Sequence, residues 1–245
     1  MTAPKLKTNS LISDLTPSVQ AGRLLISDIE KQKKLREARV IPERYQGLAI
    51  EGMIHFLDGK HRLGTECLER SIEMCPGDGV TWTNYSTILT NKALYAQQEE
   101  LLERALHRGV ASMLELVLVF GAFWGDMDKM SRALEVINKY GVEVTNAQDA
   151  LGTYNMFLGL DNSVKNDIKN AASILRVIAE EHSIPCARSH IESDGYGEMS
   201  FSCEIKVNDA SVLTKLNFEI IERMVAHGYE AGKCVAYFES LGEVS

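Results

Sequence analysis

The feature that most restricts this chain is that it copies itself. Leu68-Glu69-Arg70-Ser71-Ile72 returns as Leu102-Glu103-Arg104-Ala105-Leu106 after a shift of 34 residues, and Leu134-Glu135 through Gly141 repeats Leu102-Glu103 through Gly109 after a shift of 32. A period of that size is one two-helix unit, which cannot bury its own apolar stripe and has to stack on a neighbour. From Tyr45 to about Gly141 apolar residues recur at helical intervals in segments of 12–16 residues. The breaks between them are "LDGK" (57–60), "PGDG" (76–79), "TNK" (90–92), "HRG" (107–109) and "WGD" (124–126). Such punctuation between helical stripes predicts antiparallel helix pairs.

Two stretches carry a more specific pattern. "GLAIEGMIHFLDGKHRLGTECLERSIEMCPGD" contains Gly52, a turn Gly59, the pair Ser71-Ile72 and a closing Pro76, and "VTWTNYSTILTNKALYAQQEELLERALHRG" contains Trp82, Tyr85, Tyr95 and Ala105-Leu106. With these residues the chain resembles the tetratricopeptide (TPR) repeat family, in which an aromatic and a small residue mark the first helix and a Pro closes the unit. The third unit, Ala111 to Tyr140, keeps only Gly125 and the aliphatics of its second helix. Val110 replaces the closing Pro of the second unit, Ala93 replaces its turn Gly, and Gly64 stands where the family has Ala. The resemblance covers about 100 of the 245 residues.

What the resemblance implies is a concave face, lined by the first helix of each unit, that holds an extended or helical peptide. Carried onto this chain, that face consists of Ala49, Met53 and Phe56, then Thr83, Thr87 and Asn91, then Glu115, Val119 and Phe123. The Lys/Asn/Arg clamp that some relatives use for a terminal carboxylate is absent, so the implied guest is an apolar or mixed segment. Met53, Phe56 and Phe123 read equally well as core.

The flanks differ in texture. Residues 1–15 are polar and aperiodic, which predicts a flexible arm, and Thr16-Pro17 reads as the N-cap and first position of a basic helix over 16–44 with Val19, Leu24, Leu25, Ile29 and Leu35 on one side. Segments 146–160 and 162–182 add a fourth helix pair, so the helical repeats are expected over 45–183. After Pro185, "CARSHIES" (186–193) and "EMSFSCEIKV" (198–207) alternate with period two around "DGYG" (194–197), a capped helix follows over 208–228, and "KCVAYFES" (233–240) is a last strand. Residues 184–245 therefore predict a small α+β domain of order ββαβ, similar to a ferredoxin-like sandwich without its first strand. Its open sheet edge would pair with a second copy, giving a homodimer, or with this chain's own arm around Lys5–Ser13. The expected fold class is mostly α: an antiparallel helix-pair, TPR-like solenoid followed by that partial ferredoxin-like domain.

Composition narrows the function. The net charge of −8 argues against a nucleic-acid binder, although residues 1–45 carry nine Lys/Arg against five Asp/Glu. The five cysteines form no CxxC pair, and the histidines form no HExxH spacing, so reduced thiols and neither metal nor cofactor are expected. "MTAPKLKTNSLISDLTP" lacks the apolar run of a signal peptide and "MLELVLVFGAFWG" is too short to span a bilayer, which points to a cytoplasmic protein without membrane contact. No catalytic constellation stands out, and the leading expectation is a non-catalytic adaptor or chaperone-like protein holding a segment of another protein. A rival is an effector or enzyme with Cys186, His190, Glu192 and Cys203 gathered on the hairpin, where a neighbouring cation would lower a thiol pKa. A third reading has the basic segment touching nucleic acid.

Overall fold

Alternating helical stripes and turn residues set the element order in the computed structural model, which describes residues 4–193, 198–228 and 234–242. The helices are α1 Pro4–Gln20, α2 Asp28–Arg39, α3 Arg44–Leu57, α4 His61–Met74, α5 Gly79–Asn91, α6 Tyr95–Arg108, α7 Ala111–Phe123, α8 Met127–Tyr140, α9 Gln148–Leu158, α10 Asn162–Glu181 and α11 Ala210–Ala226. The strands are β1 Cys186–Ser193, β2 Met199–Ile205 and β3 Cys234–Ser240. The described chain is thus mostly helical with a small three-stranded sheet near its C-terminal end. The expected "DGYG" turn lies outside the described residues.

Each break from Leu57 to Asp126 falls at its punctuation. Gly59, Gly109 and Gly125 take φ of 80°, 64° and 61°, which ends a helix without a Cβ penalty. Ala93 adopts the same left-handed conformation at φ 53° without being glycine.

Two compact units emerge, one of the residues up to Lys92 with Ala96–Ala105, the other of Ala93–Tyr95 with the chain from Leu106 onward. In the first, α3 lies along α4 and both touch α5. Gly52 and Gly64 set the α3–α4 separation: a Cβ on Gly64 would stand 2.6 Å from the Phe56 backbone nitrogen. The repeated Leu-Glu-Arg skeleton has a packing reason here. Leu68, Ile72, Leu102 and Ala105 are fully buried, and Arg104 of the second copy forks onto Glu69 of the first at 2.8 and 2.7 Å. The Trp82 indole donates to the Pro76 carbonyl at 2.9 Å, tying α5 to the turn that follows α4.

The N-terminal expectation fails on two counts. Residues 4–20 form a helix rather than an arm: Leu11, Leu15 and Val19 are buried as α1 packs on α3 and α5. Thr16 does not cap anything; its hydroxyl donates back to the Ile12 carbonyl at 3.2 Å, and Pro17 lies inside the helix. The chain then breaks at Gly22, φ 61°, and α2 begins with a capping box between Ser27 and Glu30. Leu25 and Ile29, which recur at roughly helical spacing with Val19, Leu24 and Leu35, are 52% and 82% exposed.

In the second unit α7 lies along α8 and both touch α9. The sheet has order β1-β2-β3, with β1 and β2 antiparallel and β2 and β3 parallel through α11. A ferredoxin-like sheet that lost its first strand would leave a gap between two parallel strands. Here β2 and β3 are hydrogen-bonded neighbours, so the crossover closes without a gap and the sheet edges are β1 and β3. Nor is 184–245 a separate domain. Tyr95 meets Trp124 edge-on at 4.9 Å and Trp124 stacks over Phe201 at 6.5 Å, which gives the sheet and the helices before it one core.

Candidate partner-binding surface

The first-helix residues implied by the TPR resemblance divide between the two units. In the first unit Met53 and Phe56 are 1% and 0% exposed, and the Phe56 ring stacks on His61 at 4.9 Å and meets Tyr85 edge-on at 6.2 Å. They are core and offer nothing to a guest. Thr83 and Thr87 are exposed on α5, with the Thr87 hydroxyl turned back to the Thr83 carbonyl at 2.8 Å. Asn91 spends its amide on the chain itself, donating to the Val19 carbonyl at 2.8 Å. The Thr8 hydroxyl donates to Gln46 at 2.9 Å, and Ala49 faces a cavity of about 70 Å³ shared with Thr8 and Ile12. Helix α1 therefore covers much of this wall.

In the second unit the corresponding residues lie along α7. Glu115 accepts hydrogen bonds from the Thr145 amide and, at 3.2 Å each, from the Asn146 amide and side chain. Partial burial pushes its carboxyl up, but these donors outweigh that and hold it below the usual glutamate value of 4.5. Its role is to fasten the loop before α9. Val119, 37% exposed, and the half-buried Phe123 line an open groove of about 340 Å³. Its other apolar walls are Ala122, Ala147, Ala150 and Met156, its rim includes Asp149 and Thr153, and β1 closes it with Ala187, Arg188 and Ile191. The α9 and β1 residues were not assigned to this surface from sequence. The available signal was the small pair Ala147 and Ala150, buried at 2% and 5%, which lets α9 approach α7. Among the described residues the only strand paired with β1 is β2.

The Cys/His constellation comes apart. The β1–β2 register shifts between Cys186 and Arg188, so Ala187 is a bulge and the alternation inverts there. Cys186, opposite Ile205, joins Cys203 on the buried face, while Arg188, His190 and Glu192, opposite Glu204, Ser202 and Ser200, lie on the other. His190 Nε2 sits 3.0 Å from Glu204 Oε1, and Arg188 reaches the same carboxylate at 3.5 Å. The thiols meet Tyr95, whose hydroxyl accepts from the Cys186 amide at 2.7 Å. Burial pushes the Cys203 thiol well up, whereas a hydrogen bond from Cys203 lowers Cys186 against its own burial. Cys186 is 5% and Cys203 0% exposed, and His190 is across the sheet from both. Among the described residues of the hairpin, the imidazole therefore lies apart from both thiols.

Four cations of the basic segment are held in ion pairs. Lys31 is buried between Asp28 at 2.6 Å and Asp58 at 3.0 Å, Lys34 meets Asp14, and Arg39 and Arg44 share Glu51 at 3.1 and 2.7 Å. The side chains of Lys5 and Lys7 lie outside the described set. Among the described residues no group of three or more His, Cys, Asp or Glu is gathered as for a metal ion, and no helix is long and apolar enough to cross a membrane.

The chain matches no family model, no curated protein and no solved structure.

Proposed function

We propose that this protein is a non-catalytic adaptor or chaperone-like protein that holds an apolar-centred segment of another protein against α7 and α9. The observation carrying this is the open groove of about 340 Å³ that contains two of the residues the repeat pattern points to, Val119 and Phe123. One feature supports reading the helices as stacked TPR-like pairs. α3 with α4, then α5, and α7 with α8, then α9, share one neighbour scheme, a hairpin followed by a first helix that touches both of its members. On that reading α3–α5 and α7–α9 are walls of the same kind, and the first already holds a helix, α1, along Leu11, Leu15 and Val19. A wall that accepts a helix from its own chain in one unit is suited to a segment from another chain in the second. Specificity would come from apolar side chains entering beside Val119 and Met156, with Arg188 and Asp149 at the mouth to fix register.

The test is an affinity capture from the native cell with the wild-type chain and with Val119→Asp plus Met156→Asp. A protein enriched by the first and lost with the second, both folded by circular dichroism, is the expected result. Capture of the same proteins by both baits, or loss of biological effect when Cys186, His190 and Cys203 are replaced together in a folded chain, sinks the proposal.

A further inference from the structure

Helix α11 turns one side to the sheet and a second apolar side outward. Leu216 and Ile220 are its buried residues, and the helix packs on β3 and α10. Diametrically opposite on the helix lie Phe218, Ile221 and Val225, exposed at 61%, 54% and 71%. Their spacing of i, i+3 and i+7 is that of a seam between two helices, and three large apolar groups in one stripe are too many for an idle surface. Exposed Lys215 and Glu222 run along one flank of the stripe, two turns apart. The sides of α11 away from the stripe are engaged within the molecule. Asn217 exchanges hydrogen bonds with the Phe238 backbone at 2.7 and 3.1 Å, and Arg223 bonds Glu181 and Glu219.

We propose that this stripe joins two copies of the chain, with α11 of each packed antiparallel across a two-fold axis between Phe218 and Ile221. Charge selects both the occupant and the direction. A two-fold axis at that point sets position 215 of one helix beside position 222 of the other, and does so twice, so Lys215 meets the partner's Glu222 and Glu222 meets the partner's Lys215. A parallel arrangement sends the two flanks carrying Lys215 and Glu222 to opposite sides of the axis, so neither charge meets its complement. Phe218 then packs on the partner's Ile221, and Val225 on the partner's Thr214. A single patch that is complementary to itself is what an isologous dimer requires. The bonds of Asn217 and Arg223 hold the helix in place beforehand, so little ordering is lost on association. This surface is distinct from the groove and from the strand edges, and its test does not depend on either.

Sedimentation velocity of the full chain, from sub-micromolar up to about 200 μM because an interface of one helix pair is small, reads the outcome. The species of 27.2 kDa is expected to give way to one of twice that mass as concentration rises. Phe218→Glu, or independently Val225→Glu, raises the dimer Kd about tenfold or more. Lys215→Glu and Glu222→Lys each weaken the dimer, and the double charge exchange restores it, a signature that simple misfolding does not produce. A monomer at every concentration overturns the proposal. So does a dimer indifferent to Phe218 and Val225, or one that the double exchange fails to restore.

Discussion

Gly64 stands where the repeat pattern has alanine, and the packing explains the substitution. An added methyl would lie 2.6 Å from the backbone nitrogen of Phe56 and 2.8 Å from its Cα, and backbone cannot rotate away as a side chain can. Alanine gains about 1 kcal/mol of helix propensity over glycine. Forcing α3 and α4 apart costs more than that, since overpacking a close contact runs to roughly 1–3 kcal/mol before the cores on either side readjust. Gly64→Ala is therefore expected to lower the unfolding free energy by about 2 kcal/mol in a urea titration. Gly77→Ala, where a methyl meets nothing within 4 Å, is the control and should change it by less than about 0.5 kcal/mol. Ala93 shows the converse case, an alanine in a glycine conformation, where tertiary burial at 0% exposure holds a backbone that sequence preference alone would not choose.

At the scale of elements, what the sequence made legible was whatever punctuation and period state locally. The helices from α3 to α8 start and stop at the breaks because glycine, proline and short polar residues act within a turn of where they sit. α1 was hidden for the opposite reason. Its buried apolar residues, Leu11, Leu15 and Val19, are few and set among Ser, Asp and Thr, and become a stripe only because α3 and α5 provide a surface to cover. Thr16-Pro17 imitates a helix start, and the burial gained beyond Pro17 outweighs one missing hydrogen bond. The true start of α2, Ser27 with Glu30 three residues on, is a readable capping box that the stronger-looking proline signal obscured. Helix and arm are distinguished by Leu15→Ala. A fully buried leucine lost from a packed helix costs about 2–4 kcal/mol in chemical denaturation, whereas truncating an arm would leave the midpoint unchanged.

Over the whole molecule, the candidate site was half legible because a repeat pattern names one wall of a groove and nothing about the other. Val119 and Phe123 follow from the register of α7, but Arg188 and Ile191 reach the same space from a strand about seventy residues away in the sequence, placed there by the bulge at Ala187. The charge pattern misleads in a related way. A leader with nine basic residues against five acids looks like an electrostatic footprint, yet folding places Asp14, Glu51 and Asp58 against Lys34, Arg39, Arg44 and Lys31. Counterion release on nucleic acid requires cations that are not already neutralised, and the chain outside residues 1–45 adds a net −12 that repels phosphate. Fluorescence anisotropy of a labelled DNA or RNA duplex is thus expected to stay flat up to about 10 μM protein at roughly 50 mM salt, where electrostatic binding is strongest. Binding that weakens steeply with added salt, and that charge reversal at the exposed Lys33 and Arg36 abolishes, would mean that the cations of α2 outside those ion pairs reach phosphate and that the basic segment, not the groove, is the working surface.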